Sequence, residues 1–411
     1  MQLRDVNLID PDVFVPGVPH EMFRVLRRDA PVYWHEGDGR ESGFWAITKH
    51  ADVKHVSRNP ELFSSERKGV MFRDPAPHEL PAIQAIMISM DPPRHRQYRN
   101  LVNKVFTPRM VERLRPRIAA IVDDIFDRLG ASGECDFVEH VAAPLPMAVI
   151  CEMMGVPDED RAAIYQLSNR LIGFDDPELR QETPPDGVID YNLASAEMFA
   201  YGAKLAERAR RHPGDDLATA LLAAEVDGER LSDLEFNSFF LLLAIAGNET
   251  TRTVTTNGTI ALLEHPEQLA ALRRDPSLID TAVEEMLRWA PPVHHFRRTA
   301  TEDTEIRGVR IRANDKLLLW YGSANRDEEV FAEPDRFDAR RDPNEHLAFG
   351  IGEHFCLGAS LARLELQMIF SGLVHRLRDL AIVAPPRRLR SNFINGVKEM
   401  QVRFTPESAA A

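Results

Sequence analysis

Apolar residues recur at three- and four-residue steps through residues 108–129, 158–172, 190–211, 232–264, 277–290 and 357–378. That spacing puts them on one face of an α-helix. Strand-like stretches are few and short: PVYWH and GFWAITK near the N-terminus, then TEIRGVRI and DKLLLWYG, and QVRFT at the end. The pattern predicts a mainly α chain with a small β region drawn from residues 30–50, 300–325 and 380–405, beside a helical portion over residues 90–290 and 357–378. Because both ends feed that β region, one intertwined domain over residues 1–411 is expected, although the length alone suggests two or three. No repeat, low-complexity tract or composition shift marks a linker, and the longest turn-like interruption is residues 175–188.

Lysine and arginine number 50 against 64 aspartates and glutamates, a formal charge of −14. So acidic a chain is a poor candidate for wrapping nucleic acid or adhering to an anionic membrane. One segment runs the other way: residues 91–117 hold seven arginines and one lysine against two acids, or +8 − 2 = +6. The cysteines, Cys135, Cys151 and Cys356, stand in no paired spacing, which argues against a disulfide framework or a multi-thiolate zinc site and fits a cytoplasmic compartment. Arg4, Asp5, Asp10 and Asp12 leave no room for a signal peptide or a membrane span at the N-terminus. A soluble monomer is expected.

The most informative string is FGIGEHFCLGASLARLELQ, residues 349–367. Gly350 and Gly352 precede Cys356 in a loop, where glycine can adopt positive φ and turn backbone N–H groups inward. An apolar-periodic helix begins directly after Cys356, placing the sulfur near a helix N-terminus, where the dipole favours a thiolate. A lone cysteine in such a place is ordinarily a small buried hydrophobe. A deprotonated sulfur facing N–H donors and shielded by Phe349 is, however, what an axial haem thiolate requires.

At these residues the chain resembles the cytochrome P450 family of haem-thiolate monooxygenases, matching its haem-binding signature from Phe349 and Gly350 through His354 and Cys356 to Gly358. The resemblance implies the mainly α P450 fold, haem b as cofactor and Cys356 as iron ligand. Gly358 would let the following helix lie close to the porphyrin.

A second motif, LLLAIAGNETTR at residues 241–252, lies in the longest helical pattern. Thr250 can divert the carbonyl of Ala246, and Gly247 removes bulk, so the helix can open into a groove. Glu249 and Thr250 then stand as an acid and an alcohol in an apolar segment, a pair able to pass protons to a reacting oxygen. The resemblance makes them the family's acid-alcohol pair. It also makes Glu285 and Arg288, at i and i+3 in EEMLRWAPPV, the structural E-x-x-R pair locking to Arg336, and it places His95, Arg99, Arg298 and His354 around the haem propionates.

The similarity runs from GFWAITKHADV to SNFINGV. ETTR, LRWAPPV, GSANRDEEVF, DPNEHLAFG and LRSNFINGV resemble actinobacterial members that oxidise terminal methyl groups of steroid side chains and methyl-branched lipids. A chiefly apolar substrate pocket is expected from Leu242, Leu243 and Ala246 on the helix, with Val70, Met71, Phe72 and Met87 before it and Val293 and Phe393 after. His294 and His295 depart from that apolar pattern. If they contact substrate, a smaller terpenoid or aromatic compound becomes the alternative; a peroxygenase and a haem carrier or sensor are the remoter ones. With no dinucleotide fingerprint or iron–sulfur cysteine run, electrons are expected from a ferredoxin and ferredoxin reductase, with O2 as co-substrate.

Overall fold

The computed structural model describes every residue except Arg40, Lys104, Val105, 130–132, 180–186, Asp227 and 407–411. The helices that frame its centre are α1 (Arg94–Asn103), α2 (Pro108–Asp127), α3 (Pro144–Met154), α4 (Arg161–Ile172), α5 (Gly187–Arg211), α6 (Asp233–Glu264), α7 (Ile279–Trp289) and α8 (Ala359–Arg376). A capping box starts α6: Ser232 Oγ accepts from Glu235 N at 3.3 Å, and Glu235 Oε2 accepts from Ser232 N at 3.0 Å. Its 32 residues span about 48 Å. The helix runs through the interior against α3, α4, α5, α7 and α8, and it is buried on nearly every side. Its threonines survive burial by bonding backward: Thr255, Thr256 and Thr259 each donate to the carbonyl four residues earlier, at 2.8–3.0 Å.

The main sheet is assembled from distant parts of the chain. Strands β1 (Val32–His35), β2 (Phe44–Ile47), β3 (Phe63–Ser64), β5 (His295–Ala300) and β6 (Lys316–Trp320) lie in the order β1-β2-β6-β5-β3, with β6 parallel to β2 and the other pairs antiparallel. A second sheet orders β7 (Leu377–Ile382), β8 (Gln401–Pro406) and β4 (Gly133–Asp136). TEIRGVRI, expected in the β region, forms a separate hairpin. The strand that joins the main sheet in its stead, β5, carries the polar string HFRRTA, in which no apolar alternation is visible. Residues 377 and 378, expected to end a helix, begin β7. Helix α3 was not anticipated, because it is buried all round and shows no one-sided period.

The Glu285–Arg288 pair is fully buried and sits at the hub of a bonded network. Glu285 accepts from Arg288 Nε and Nη2 at 2.7 and 2.8 Å, from the Asp338 backbone at 2.9 Å and from Asn344 Nδ2 at 3.1 Å. The second guanidinium is that of Arg341, 3.1 Å away, and not the expected Arg336. The side chain of Arg336 points to solvent and pairs with Glu333, while its carbonyl accepts from both Arg288 and Arg341 at 3.1 and 3.0 Å. The turn after Phe337 brings the later arginine inward, so the backbone of one residue and the side chain of the other share the task. Among the described residues no helix is long and apolar enough to cross a membrane.

Candidate active site

Between α6 and the loop preceding α8 lies a cavity of about 1510 Å³, its open mouth included. The loop is held by its backbone: Cys356 N donates to the Phe349 carbonyl at 2.9 Å and Gly350 N to Leu347 at 2.9 Å. Gly350 and Gly352 have φ of +66° and +79°, and a side chain at Gly352 would meet the Ser57 carbonyl at 2.7 Å. Arg363 stacks 4.5 Å from the centre of the Phe349 ring while pairing with Glu284 at 2.7 Å. Thus braced, the loop turns Cys356 into the cavity. Burial pushes the thiol above its usual range, opposed by a bond from the Gly358 backbone and by Arg99 and Arg363.

On the α6 side, Leu242, Leu243, Ala246, Gly247, Thr250 and Thr251 line the cavity. Thr250 Oγ1 donates to the Ala246 carbonyl at 2.7 Å, the diversion its position implied. Gly247 does more than make room: an added Cβ would lie 2.5 Å from Ile150, so it also admits α3 against α6. Glu249 does not face the cavity. It is 1% exposed, pairs with Arg252 on its own helix and accepts from Thr253 at 3.4 Å. Arg252 in turn donates to Tyr165 Oη and Asn169 Oδ1 of α4, at 3.1 and 2.9 Å.

One end of the cavity is cationic. Arg298 is buried and donates to the carbonyl of Arg297 at 2.7 Å, and Arg99 donates to the carbonyls of Glu353 and Phe355 at 3.4 and 2.6 Å. Neither guanidinium pairs with a carboxylate among the described residues. His95 bonds Glu353 at 3.0 Å, His354 lies 3.2 Å from Ser65 Oγ, and the two rings stand 4.3 Å apart. Burial, then the neighbouring Arg298, holds His354 well below the usual histidine range.

Of the apolar residues expected as a substrate pocket, Met87, Leu242, Leu243, Ala246 and Val293 line this cavity; Val70, Met71, Phe72 and Phe393 do not. Val70 offers its carbonyl to Arg297 N at 2.8 Å, and Phe72 packs on Phe44 and beside Lys316. His294 and His295 are corrected as well. His294 lies 4.7 Å from the Phe14 ring and His295 4.7 Å from Trp320, in the core between β5, β6 and the N-terminal segment. Burial lowers the His295 pKa to about 3 and that of His294 well below its usual range, so both are neutral core residues. The lining residues that went unforeseen include Ile150, Phe239, Phe296 and Glu365. Only Glu365 carried a signal, standing one helical turn beyond Leu361 on the cavity side of α8.

The family model for cytochrome P450 matches residues 192–401. The chain belongs to the cytochrome P450 family. A steroid C26-monooxygenase of Rhodococcus jostii is 41% identical over 98% of this chain and 85% of its own. A methyl-branched lipid omega-hydroxylase of Mycobacterium tuberculosis is 44% identical over 93% of this chain and 90% of its own. Among solved structures, a Mycobacterium marinum P450 in complex with pseudoionone superposes with a TM-score of 0.89 at 39% identity, covering 97% of this chain and 98% of that one. A Bacillus megaterium P450 in complex with corticosterone gives 0.82 at 33%, covering 94% and 98%.

P450s are haem-thiolate enzymes, and this cavity fits the group. A Cβ at Gly358 would meet nothing within 4 Å, leaving room for a flat ring beside the thiol. The uncompensated guanidiniums of Arg99 and Arg298 suit the two propionate carboxylates of haem. The enzyme is accordingly a haem-dependent monooxygenase that takes up O2 and a hydrophobic substrate.

Proposed function

We propose that this P450 hydroxylates the terminal methyl of a steroid side chain of the cholestenone type, or of a methyl-branched lipid. The observation that carries the reading is the continuity of the apolar surface. From Leu242, Leu243 and Met87 it runs past Val293 and Phe296, which pack against Ile172, Leu389 and Ile394. A long apolar molecule is therefore held by shape, and presenting one terminal methyl depends on a narrow approach that keeps weaker internal C–H bonds away. The names of the relatives point the same way. In spectral titrations, cholest-4-en-3-one or a branched fatty acid is expected to give the largest low-spin to high-spin shift, ahead of a monoterpene alcohol and an alkoxybenzoate. A shift with only the last two would reject the substrate class and leave the monooxygenase intact.

In this reading Cys356 is the iron ligand, Arg99, Arg298, His95 and His354 receive the propionates, and Phe349 covers the sulfur. Haem bound there supplies the activation of O2 that inserts one oxygen atom into the C–H bond and sends the other to water. The protein's own part is to exclude water and meter protons. The Thr250 hydroxyl, already in the cavity, holds the proton at Oγ1, and Glu249 passes it a replacement taken up from solvent once its carboxylate turns from Arg252. Thr250→Ala is expected to keep haem and substrate binding while product formation falls about 10²-fold. NADH consumption should continue, with peroxide accumulating. Unchanged product per NADH would remove Thr250 from the mechanism.

We assign the electron donor to an acidic ferredoxin docking beside the Cys356 loop. Within residues 91–117, Arg94, Arg96, Arg115 and Arg117 pair with Glu235, Glu353, Glu112 and Glu152. Lys104 of that segment lies outside the described residues. Arg109 and Arg113 are exposed and bond no carboxylate among the described residues, and the apolar Phe355 of the cysteine loop is 40% exposed. Reduction by ferredoxin should slow steeply as salt rises, and the Arg109→Glu/Arg113→Glu pair should slow it about tenfold or more. Salt-independent reduction in stopped flow would reject the docking site.

A further inference from the structure

Glu365 has no place in the mechanism above, yet it shares the cavity. It stands two turns into α8, and its neighbours Leu361, Ala362 and Leu366 line the same wall. It is 2% exposed, and its Oε2 has no hydrogen-bond partner among the described residues. Its helix packs against α2, α6, α7, the helix Pro266–Arg274 and β7, and burial is the cause of its raised proton affinity. A carboxylate so placed lacks both water and a counter-ion, and such a group takes up a proton instead. Burial alone pushes its pKa up to about 8. The other ionisable groups lining the cavity are Cys356, His95, His354, Tyr321, Arg99 and Arg298. The two histidines are lowered and the tyrosine raised, so none of the three titrates near that pH.

Resting on the assignment of haem to this cavity, we propose that Glu365 is the proton acceptor coupled to haem reduction. On the alkaline side, where the ferric enzyme holds it ionised, it binds one proton when the iron passes from ferric to ferrous, and so ties the reduction potential of the enzyme to pH there. The step balances. One electron arrives from the redox partner at ferric iron, one proton arrives from solvent at the carboxylate, an O–H bond forms there and no other bond changes. The physical cause is the enclosed setting: a negative charge added by reduction and a negative carboxylate in one poorly screened cavity raise each other's cost. Linkage makes the effect reciprocal, so reduction raises the proton affinity of Glu365 and its protonation raises the potential.

The test is spectroelectrochemical titration of the holoenzyme from about pH 6.5 to about pH 9.5, where an acid of this kind changes charge and ordinary carboxylates do not. The carbon monoxide spectrum at each pH verifies that the thiolate-ligated haem is intact, which separates failure of the haem assignment from failure of the proposal. The potential of the wild type should be level on the acid side. It should then fall on the alkaline side with a slope approaching about 59 mV per pH unit. Glu365→Gln, a neutral mimic of the protonated acid, should stay level throughout, and Glu365→Asp should restore the slope. Infrared difference spectra of the wild type, reduced minus oxidised, should show a protonated carboxyl C=O band appearing on the alkaline side. A slope retained in Glu365→Gln, a wild type level over the whole range, or no carboxyl band on reduction would each overturn the proposal. The infrared result decides the matter even if the glutamine variant fails to load haem.

Discussion

Cys356→His is expected to bind haem but lose the strongly red-shifted Soret band of the reduced carbon monoxide complex, with monooxygenase turnover falling by about 10³-fold or more. Such a loss is ~4 kcal/mol in the barrier. The reason lies in the donor: a thiolate pushes electron density through iron toward the bound oxygen, and a neutral imidazole does so far less. The loop geometry sets that donor apart. Cys135 and Cys151 do not line the cavity, and burial raises both thiols to about 11, so neither can replace it. A Cys356→His protein with full turnover would remove the residue from the iron.

The second large effect concerns stability. Removing either partner of the buried Glu285–Arg288 pair, or Arg341, leaves charge inside the protein without compensation. Such losses cost about 3–5 kcal/mol. Arg288→Ala also strands the carbonyls of Asn325 and Pro334. Arg336→Ala, by contrast, removes an exposed side chain paired with an exposed Glu333 and should change stability by no more than about 0.5 kcal/mol. Chemical denaturation of the two arginine variants ranks them directly. Equal losses would mean that Arg336 contributes more than its carbonyl.

The two predictions draw on different kinds of legibility. The glycine loop, Cys356 and Thr250 are local patterns: a few residues in fixed order specify a turn, a sulfur and a hydroxyl, and no distant partner is needed to read them. The same holds for α2, α5, α6 and α8, whose apolar periods are long enough to declare themselves. Arg341 was missed because two arginines five residues apart in one irregular segment are equivalent until the chain turns. His294 and His295 misled for the opposite reason, since histidine after Pro291 and Pro292 suggests an exposed turn or a polar anchor. In the fold that position begins β5, buried on both faces by Phe14, Phe72 and Trp320.

By itself, then, the sequence determined the fold class and, through the family resemblance carried by the short-range spacing of the cysteine loop, the cofactor, with Cys356 as the expected thiolate. Tertiary structure decided which side of each residue faces the cavity. Glu249 turned from Thr250 toward Arg252 and α4, the histidines went to the core, and Glu365 was left as a carboxyl alone in an apolar wall. Those outcomes depend on which elements pack against which. Adjacent residues on one helix or strand point in different directions, and only the surrounding elements set whether a direction ends in solvent, in a partner or in the site.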